Sequence, residues 1–385
     1  MARLDSDDIV DDFAHGDKTY LNNASVSLMP LQSIDAMRDF LTEYSSMGPD
    51  SVRSESFVAE KTQSLRRTIS GIINCQQDEV VITQSVTDGI NIVANGLSLG
   101  PDSEIVIRGR SHEHHANYYP WLRLGQRCRL RSLPVDEHGF FGIDELRRTV
   151  NENTRLLSLS HGLYNTGAIL PAKEAGRVAA ENNIPYFIDA AQTVGCTDPV
   201  DVQDMRCDFM AFNGSKWLCG PMGTGVFYCS KKAGELLTPP DVGGESAVLH
   251  QDGTLAYRGL PDRFQTGFRN YAGLVGLESS ARYLARMGIA NVRKKVIGLA
   301  NVLREELRRI RGAVVYGPDD EDRRTSIVSF SIDGLDPGHI VERLEGRNTI
   351  LAVREIMERK VVRASPHLFN SESDIMRTVD LVKGL

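Results

Sequence analysis

Apolar positions follow two alternating rhythms along the chain. Short, nearly continuous apolar runs predict buried strands at Glu79–Thr83, Glu104–Arg108, Arg155–Ser160, Tyr186–Ile188, Phe209–Phe212 and Val226–Cys229. Segments with helical spacing lie between them. Pro30 opens one helix, and Ser54–Ile73 places Phe57, Val58, Leu65, Ile69, Ile72 and Ile73 on a second. Another helix opens after Gln84 and runs to about Leu97, a further one covers Ile143–Val150, and the next begins near Ala172. Strand, polar loop and helix therefore repeat, as in a doubly wound α/β sheet. Beyond an irregular, Gly-rich stretch at Gly243–Asn270, long enough to predict a functional loop, helices run from about Leu274 to Arg309. Strands at Ser326–Ser331, Ile350–Val353 and Val361–Ala364 follow. A last helix starts near Ser371, where Ser371-x-x-Asp374 is a capping box with Asp in place of Glu. The expected organisation is a large domain over 31–275, a smaller α+β domain over 276–385, and a segment 1–30 that joins the smaller one.

Composition narrows the classes. The 385 residues, 41% hydrophobic, exceed one small core. A net charge of −7, from 44 basic and 51 acidic residues with their signs interspersed, offers no face for nucleic acid or an acidic membrane. No apolar run approaches the roughly 20 residues that span a bilayer, and the acidic start MARLDSDDIVDDF is unlike a signal peptide, so a cytoplasmic protein is expected. Cysteines 75, 128, 196, 207, 219 and 229 form no CxxC pair and no zinc spacing, which predicts reduced, mostly buried thiols.

Two of the predicted strands deliver charge to one edge. Tyr186–Ile188 ends on Asp189, and Phe209–Phe212 ends just before Lys216. Ligands of open parallel sheets bind at the carboxyl ends of the strands, so this Asp and Lys can face one small molecule. A lysine amine forms a Schiff base with an aldehyde cofactor, and a carboxylate keeps a pyridine nitrogen protonated, which is the chemistry of pyridoxal phosphate. Taken singly, a strand-terminal Asp is more often a helix cap, and a Lys beside a Gly-rich turn is more often a solvated charge. Gln192, one turn beyond Asp189, and Gly214-Ser215, next to Lys216, make the pair more informative. Ser85 and Thr87 stand where a helix amino terminus follows a strand, a ready phosphate site that equally suits plain N-capping. The histidine cluster Ser111–Asn117 invites a metal, but no second ligand cluster follows it and none is expected. Gly220–Gly225 lacks nucleotide-loop spacing and reads as a tight turn that points Lys216 back into the site.

Asp189-x-x-Gln192, Gly214-Ser215-Lys216, and Glu113-His114-His115-Ala116-Asn117 followed by Pro120-Trp121 resemble the class V aminotransferase group of fold-type I pyridoxal phosphate enzymes. That group contains cysteine desulfurases, selenocysteine lyases, isopenicillin epimerases and cysteine-conjugate lyases, and the likeness runs from Tyr20 to Arg363. It implies a large cofactor domain with a mostly parallel doubly wound sheet, a smaller α+β carboxyl-terminal domain, an amino-acid substrate and a homodimer. It implies that His114 stacks on the pyridine ring and relays protons. The phosphate would lie at Ser85-Val86-Thr87. Val86 replaces a family threonine there, so Ser215, at a position often held by histidine, would supplement the grip. Asn165 and Gln192 would approach the phenolic oxygen. Gly267 would touch the phosphate of the other subunit, although Phe268 replaces the usual threonine after it. Arg363, in Arg363-Ala364-Ser365, would hold the substrate α-carboxylate through paired hydrogen bonds. Arg354 is a second basic residue at the mouth or a surface ion pair. Asn23 is either a substrate neighbour or part of a surface turn, and Tyr164 is either a substrate neighbour or simply packed.

Desulfurases of the group carry a nucleophilic cysteine on a small-domain loop. Here Val353–Arg363 is shorter than that loop, and no cysteine follows Cys229. Persulfide formation on the enzyme is disfavoured, since the thiolate is the required nucleophile. The expected reaction is β-elimination from a cysteine S-conjugate to pyruvate and ammonia. Epimerisation, transamination and decarboxylation-linked deamination are the alternatives. A non-catalytic binding protein on the same fold would be favoured by loss of the Lys or Asp, yet both are present.

Overall fold

The computed structural model describes residues 9–110 and 112–385. Seven strands form the principal sheet: β1 (Val80–Thr83), β2 (Glu104–Arg108), β3 (Arg129–Leu133), β4 (Thr154–Ser160), β5 (Tyr186–Asp189), β6 (Phe209–Asn213) and β7 (Gly225–Cys229). Their order is β1-β7-β6-β5-β4-β2-β3. The pairs β2–β3, β2–β4, β4–β5 and β5–β6 are parallel, and β7 runs antiparallel to both its neighbours. Both faces are covered, which is why β5 and β7 are buried at every position and read as unbroken apolar runs. Within β5 the side chains still alternate. Tyr186 and Ile188 join a core with Leu65, Ile69 and Leu284, whereas Phe187 joins Ile90, Trp121 and Phe227 on the other face.

Because β7 reverses twice, β1, β2, β4, β5 and β6 all end on one edge of the sheet, where Thr83, Arg108, Ser160, Asp189 and Asn213 collect. Helix α1 (Val86–Gly96) starts at the same edge. Long helices at Leu31–Met47, Val52–Ile73 and Tyr271–Met287 pack together on one side. The helical stretch expected from Leu274 to Arg309 is two helices, Tyr271–Met287 and Ile289–Arg308, broken at Gly288, where φ is 80°. The long loop at Gly243–Asn270 contains a small hairpin, Ala247–Leu249 with Leu255–Tyr257.

A second sheet is antiparallel throughout, with order β8 (Ala313–Tyr316), β9 (Val328–Ile332), β11 (Arg359–Ala364) and β10 (Ala352–Ile356). Leu303 of Ile289–Arg308 and Ile375 of Glu372–Lys383 pack on its Phe330 and Val362. Ser371 and Asp374 form the expected capping box. Strands β10 and β11 extend further than the sequence implied and meet in the two-residue turn Met357-Glu358, with φ of 46° and 67°. Left-handed backbone at both central residues matches the twist of a tight hairpin. The amino-terminal segment touches both parts: Ile9 and Phe13 lie in the main core, while Thr19–Tyr20 pairs in parallel with Thr349–Ile350. Among the described residues, no helix is long and apolar enough to cross a membrane.

Candidate active site

Asp189 ends β5 in register with Ser160 of β4 and Ala211 of β6. Two residues past β6 the chain turns back sharply. Gly214 N–H donates to Thr224 O at 2.9 Å and Gly220 N–H to Gly214 O at 2.8 Å. A β-carbon on Gly214 would lie 2.4 Å from Thr224 Oγ1, and one on Gly220 2.9 Å from Gly214 O, so glycine is required at both places. The turn aims Lys216 at a cavity also lined by Asp189, His114, Tyr164, Gln192 and Val86.

Lys216 Nζ makes no hydrogen bond or ion pair among the described residues. Burial lowers its pKa to about 8, helped by Arg363 and Arg354 and opposed by Asp189. About a tenth of it is then free amine at pH 7, against almost none for an ordinary lysine. Asp189 is 5% exposed; burial raises its pKa to about 6, while the Ala191 N–H donated to Oδ1 at 2.9 Å and the Lys216 charge pull the other way. His114 keeps an exposed surface in the cofactor-free chain, yet crowding on its inner side, then the charge of Lys216, lowers its pKa to about 4, so its imidazole is neutral at neutral pH. Its Nδ1 accepts the Ala116 N–H at 3.2 Å, which leaves the proton on Nε2. Gln192 is pinned at both ends of its amide: Nε2 donates to Ala24 O at 3.0 Å and Oε1 accepts from Trp217 Nε1 at 2.8 Å.

The second sheet contributes cations. Arg363 is 1% exposed, yet it meets only neutral acceptors: Tyr164 O at 2.8 Å, Ser25 Oγ at 2.6 Å and Asn22 Oδ1 at 3.3 Å. Its Nε has no partner, and burial holds its pKa well below the usual arginine value. Arg354, half-buried, donates to the same Ser25 hydroxyl. Among the described residues, no carboxylate pairs with either guanidinium.

Around the start of α1, Ser85 Oγ caps the helix by accepting the Asp88 N–H at 3.2 Å, and the Val86 N–H donates to Asn213 Oδ1 at 2.9 Å. Strand β7 presses its backbone on this turn, since a β-carbon on Gly225 would lie 2.7 Å from Ser85 N. Thr87 is exposed, whereas Ser215 is buried and accepts the Ser27 N–H through its carbonyl at 2.7 Å.

Three candidates lie elsewhere. Asn165 does not line the Lys216 cavity: its Nδ2 donates to Glu355 O at 2.8 Å and its Oδ1 accepts the Thr166 N–H, so it ties the loop to the second sheet. Its neighbour Tyr164 faces the cavity instead. Asn23 is fully buried, donating to Ser365 O at 2.8 Å and accepting from Ser27 Oγ, and it too is outside the cavity. Gly267 borders a separate cavity with Gln84 and Asp88. Two residues were not anticipated, Asn213 and Ser25, and two more, Asn22 and Glu113, stood in recognised motifs without a role of their own. Asn213 could have been read from its place at the end of β6, whereas Ser25 gave no local signal.

A family model described as Aminotransferase class-V matches residues 19–377. The chain belongs to the class-V aminotransferase family. Relatives include a probable cysteine desulfurase of Methanothermobacter thermautotrophicus, 32% identical over 96% of both chains, and another of Pyrococcus abyssi, 29% identical over 92% of this chain and 91% of that one. Among solved structures, an apo cysteine desulfurase from Thermococcus onnurineus NA1 superposes with a TM-score of 0.91 at 26% identity, covering 100% of both chains. The cystine C-S lyase C-DES, in complex with its product cysteine persulfide, gives 0.88 at 25% identity over 96% of this chain and 98% of that one.

Within this class-V chain the nearest cysteine in sequence to Lys216 is Cys219, whose N–H donates to Lys216 O at 2.9 Å but whose side chain does not line the cavity. Cys75 is half-buried and the other five are buried. Burial pushes the Cys75 and Cys219 thiols up to about 12 and raises those of Cys128, Cys196, Cys207 and Cys229 as well. None lines the Lys216 cavity or the wider space outside it.

Proposed function

We propose that the protein is a pyridoxal phosphate-dependent carbon–sulfur lyase that cleaves S-substituted cysteines by β-elimination. The observation that carries this reading is a cavity lined by an amine without a hydrogen-bond partner and a buried carboxylate, with no thiol in its lining, beside Arg363, a buried guanidinium that no carboxylate neutralises and whose charge acts on Lys216. The residues fit the cofactor, because Lys216 has no competing partner and Asp189 and His114 reach the same space. When bound, pyridoxal phosphate supplies an electron sink for the bonding pair left on the substrate α-carbon.

The chain's own residues do the rest. Lys216 holds the cofactor and then takes the α-proton on Nζ, for which an amine of pKa about 8 is suited. Asp189 holds the ring nitrogen and His114 packs on the ring. Gln192 serves the phenolic oxygen, fixed by Trp217 and Ala24. Ser85, Thr87 and Ser215, joined by Asn213, hold the phosphate, with Val86 contributing packing in place of a hydroxyl. Arg363 binds the α-carboxylate, and Arg354 supports it through their shared Ser25 hydroxyl. Asn165 and Asn23 act as struts behind these groups. The working form is a cytoplasmic homodimer, which places the loop with Gly267 and the 81%-exposed Phe268 against the other subunit; a stable, active monomer in light scattering would contradict that part.

A cysteine desulfurase is the second reading, favoured by the names of the relatives. Products separate the two: elimination releases pyruvate, ammonia and a thiol, whereas desulfuration of cysteine leaves alanine. We expect pyruvate from S-substituted cysteines and a loss of at least about a thousandfold in Lys216→Ala, with borohydride fixing the cofactor on Lys216 in the parent enzyme. Stoichiometric alanine from cysteine would replace the lyase reading with the desulfurase one.

A further inference from the structure

The cavity at Lys216 adjoins a chamber of about 460 Å3, and Glu113, His114 and Tyr164 line both spaces. That volume lies within the range of roughly 300–1,000 Å3 that holds small organic ligands. One wall of the chamber is aromatic, and at His115 and Tyr119 it is open to solvent. His115 and Tyr119 stack with centroids 4.7 Å apart at 10°, Tyr164 stands edge-on to His114 at 5.0 Å, and Tyr118 adds a third phenol ring. The outer wall is the β10–β11 hairpin, whose two-residue turn leaves the space open and presents Val353 and Met357. Charges lie on the rim. Arg110 and Lys360 stand there with Glu355 and Glu358, all exposed and of both signs, so the rim selects neither an anion nor a cation.

One polar group lies deeper. His112 is 4% exposed and borders the chamber; the Asn165 side chain lies beside its ring, but neither ring nitrogen makes a hydrogen bond of good geometry. Arg354 also borders the chamber and shares Ser25 with Arg363. An amino acid with its α-carbon at Lys216 and its carboxylate toward Arg354 and Arg363, whose charges both act on Lys216, has this chamber as the adjoining space for its side chain.

We propose that the chamber receives the sulfur substituent of the substrate, and that this substituent is a flat aromatic ring, with room for one polar ring atom against His112. The inference rests on the lyase reading and narrows it to S-aryl-type conjugates of cysteine. Offset or edge-on contact with the tyrosines and His115 would hold such a ring, an attraction a methyl group lacks. In the reaction the Cα–H and Cβ–S bonds break. The proton goes to Lys216 Nζ, the sulfur leaves with the bonding pair as an aryl thiolate, and addition of water with loss of ammonia leaves pyruvate. No oxidant or reductant is consumed.

The test separates binding from turnover. In borohydride-reduced holoenzyme, where turnover is blocked, calorimetry should show S-phenyl-L-cysteine binding about ten- to a hundredfold tighter than S-methyl-L-cysteine. Lys216→Ala loaded with cofactor serves as a second preparation for the same comparison. Tyr119→Ala should shrink the preference several-fold, and Tyr119→Phe should retain it. Equal affinities, tighter binding of S-methyl-L-cysteine, or tighter binding of L-cystine with its zwitterionic substituent would overturn the aromatic assignment. Pyruvate released by the unmodified holoenzyme from any of the three would meanwhile keep the lyase reading. Tight binding of the phenyl conjugate without pyruvate from any of them would support the chamber and overturn the lyase reading.

Discussion

Arg108 and Arg363 are both about 1% exposed, but their surroundings differ in kind. Arg108 ends β2 in the main sheet, pairs with Glu113 at 3.2 Å and donates to Gly139 O at 2.9 Å. Gly139 can only be glycine there, because φ is 90° and a β-carbon would lie 3.1 Å from Nη2 and 2.5 Å from Leu163. Glu113 in turn accepts from Ser160 and from the His114 N–H. Arg363 in the second sheet meets a carbonyl, a hydroxyl and an amide oxygen but no carboxylate, while Nε is unmatched in both arginines. Removing a cation from water costs several kcal/mol, which good pairing inside the protein can offset. Arg108 has its anion within the fold. Arg363 is suited to one brought by a ligand.

The largest expected effect follows from the paired arginine. Arg108→Met leaves Glu113 buried without its counter-charge and should destabilise the protein by about 3–5 kcal/mol in urea titration. Adding Glu113→Gln should recover much of that loss, because the orphaned charge is then gone. A double variant as unstable as the single one would show that shape, not charge, is what Arg108 provides.

The unpaired arginine should respond in the opposite sense. Arg363→Met removes a desolvated charge that no protein group neutralises, so its urea midpoint should stay the same or rise. Its kcat/KM for amino-acid substrates should fall roughly a hundred- to a thousandfold, with the cofactor absorbance retained. Unfolding comparable to that of Arg108→Met would make Arg363 structural and erase the contrast.

Sequence alone revealed one side of this contrast better than the other. Asp189 and Lys216 were legible because doubly buried parallel strands read as apolar runs, and the residue after such a run falls on the ligand edge. Loops have no such period. Tyr164 and Asn165 are adjacent, and only the fold shows that the tyrosine faces the cavity while the asparagine is turned toward Glu355. The amino-terminal turn was harder still. Ser25 reaches Arg354 and Arg363 across more than three hundred residues, because Asn22 lies beside Ser365 in a bridge that no local pattern announces. The Met357-Glu358 turn lacks the Asn or Gly that usually marks left-handed positions, so the full length of β10 and β11 was not read.

The smallest expected effect concerns Asp189, a buried anion that, like Arg363, lacks full compensation in the cofactor-free chain. Burial raises its pKa to about 6 from an ordinary value of 3.8, so between those values the folded state binds more protons than the unfolded one. Its contribution to stability is therefore present below about pH 4 and is lost as pH rises through about 6. Asp189→Asn has no such titration and can still accept the Ala191 N–H, so the cofactor-free variant should exceed the parent by about 1–3 kcal/mol above pH 6 and converge with it near pH 4. His161 and His367, both lowered to about 4 by burial, act with the opposite sign, since they favour the folded state above about 6.5 and withdraw that support as pH falls. Their effect is common to both proteins and cancels in the difference. Loaded with cofactor, the order should reverse, because the asparagine cannot keep a pyridine nitrogen protonated and the variant should lose pyridoxal phosphate faster on dialysis. A stability difference that does not change between pH 4 and 7 would show that Asp189 is already neutralised within the protein, as Arg108 is, and is not held ready for a ligand.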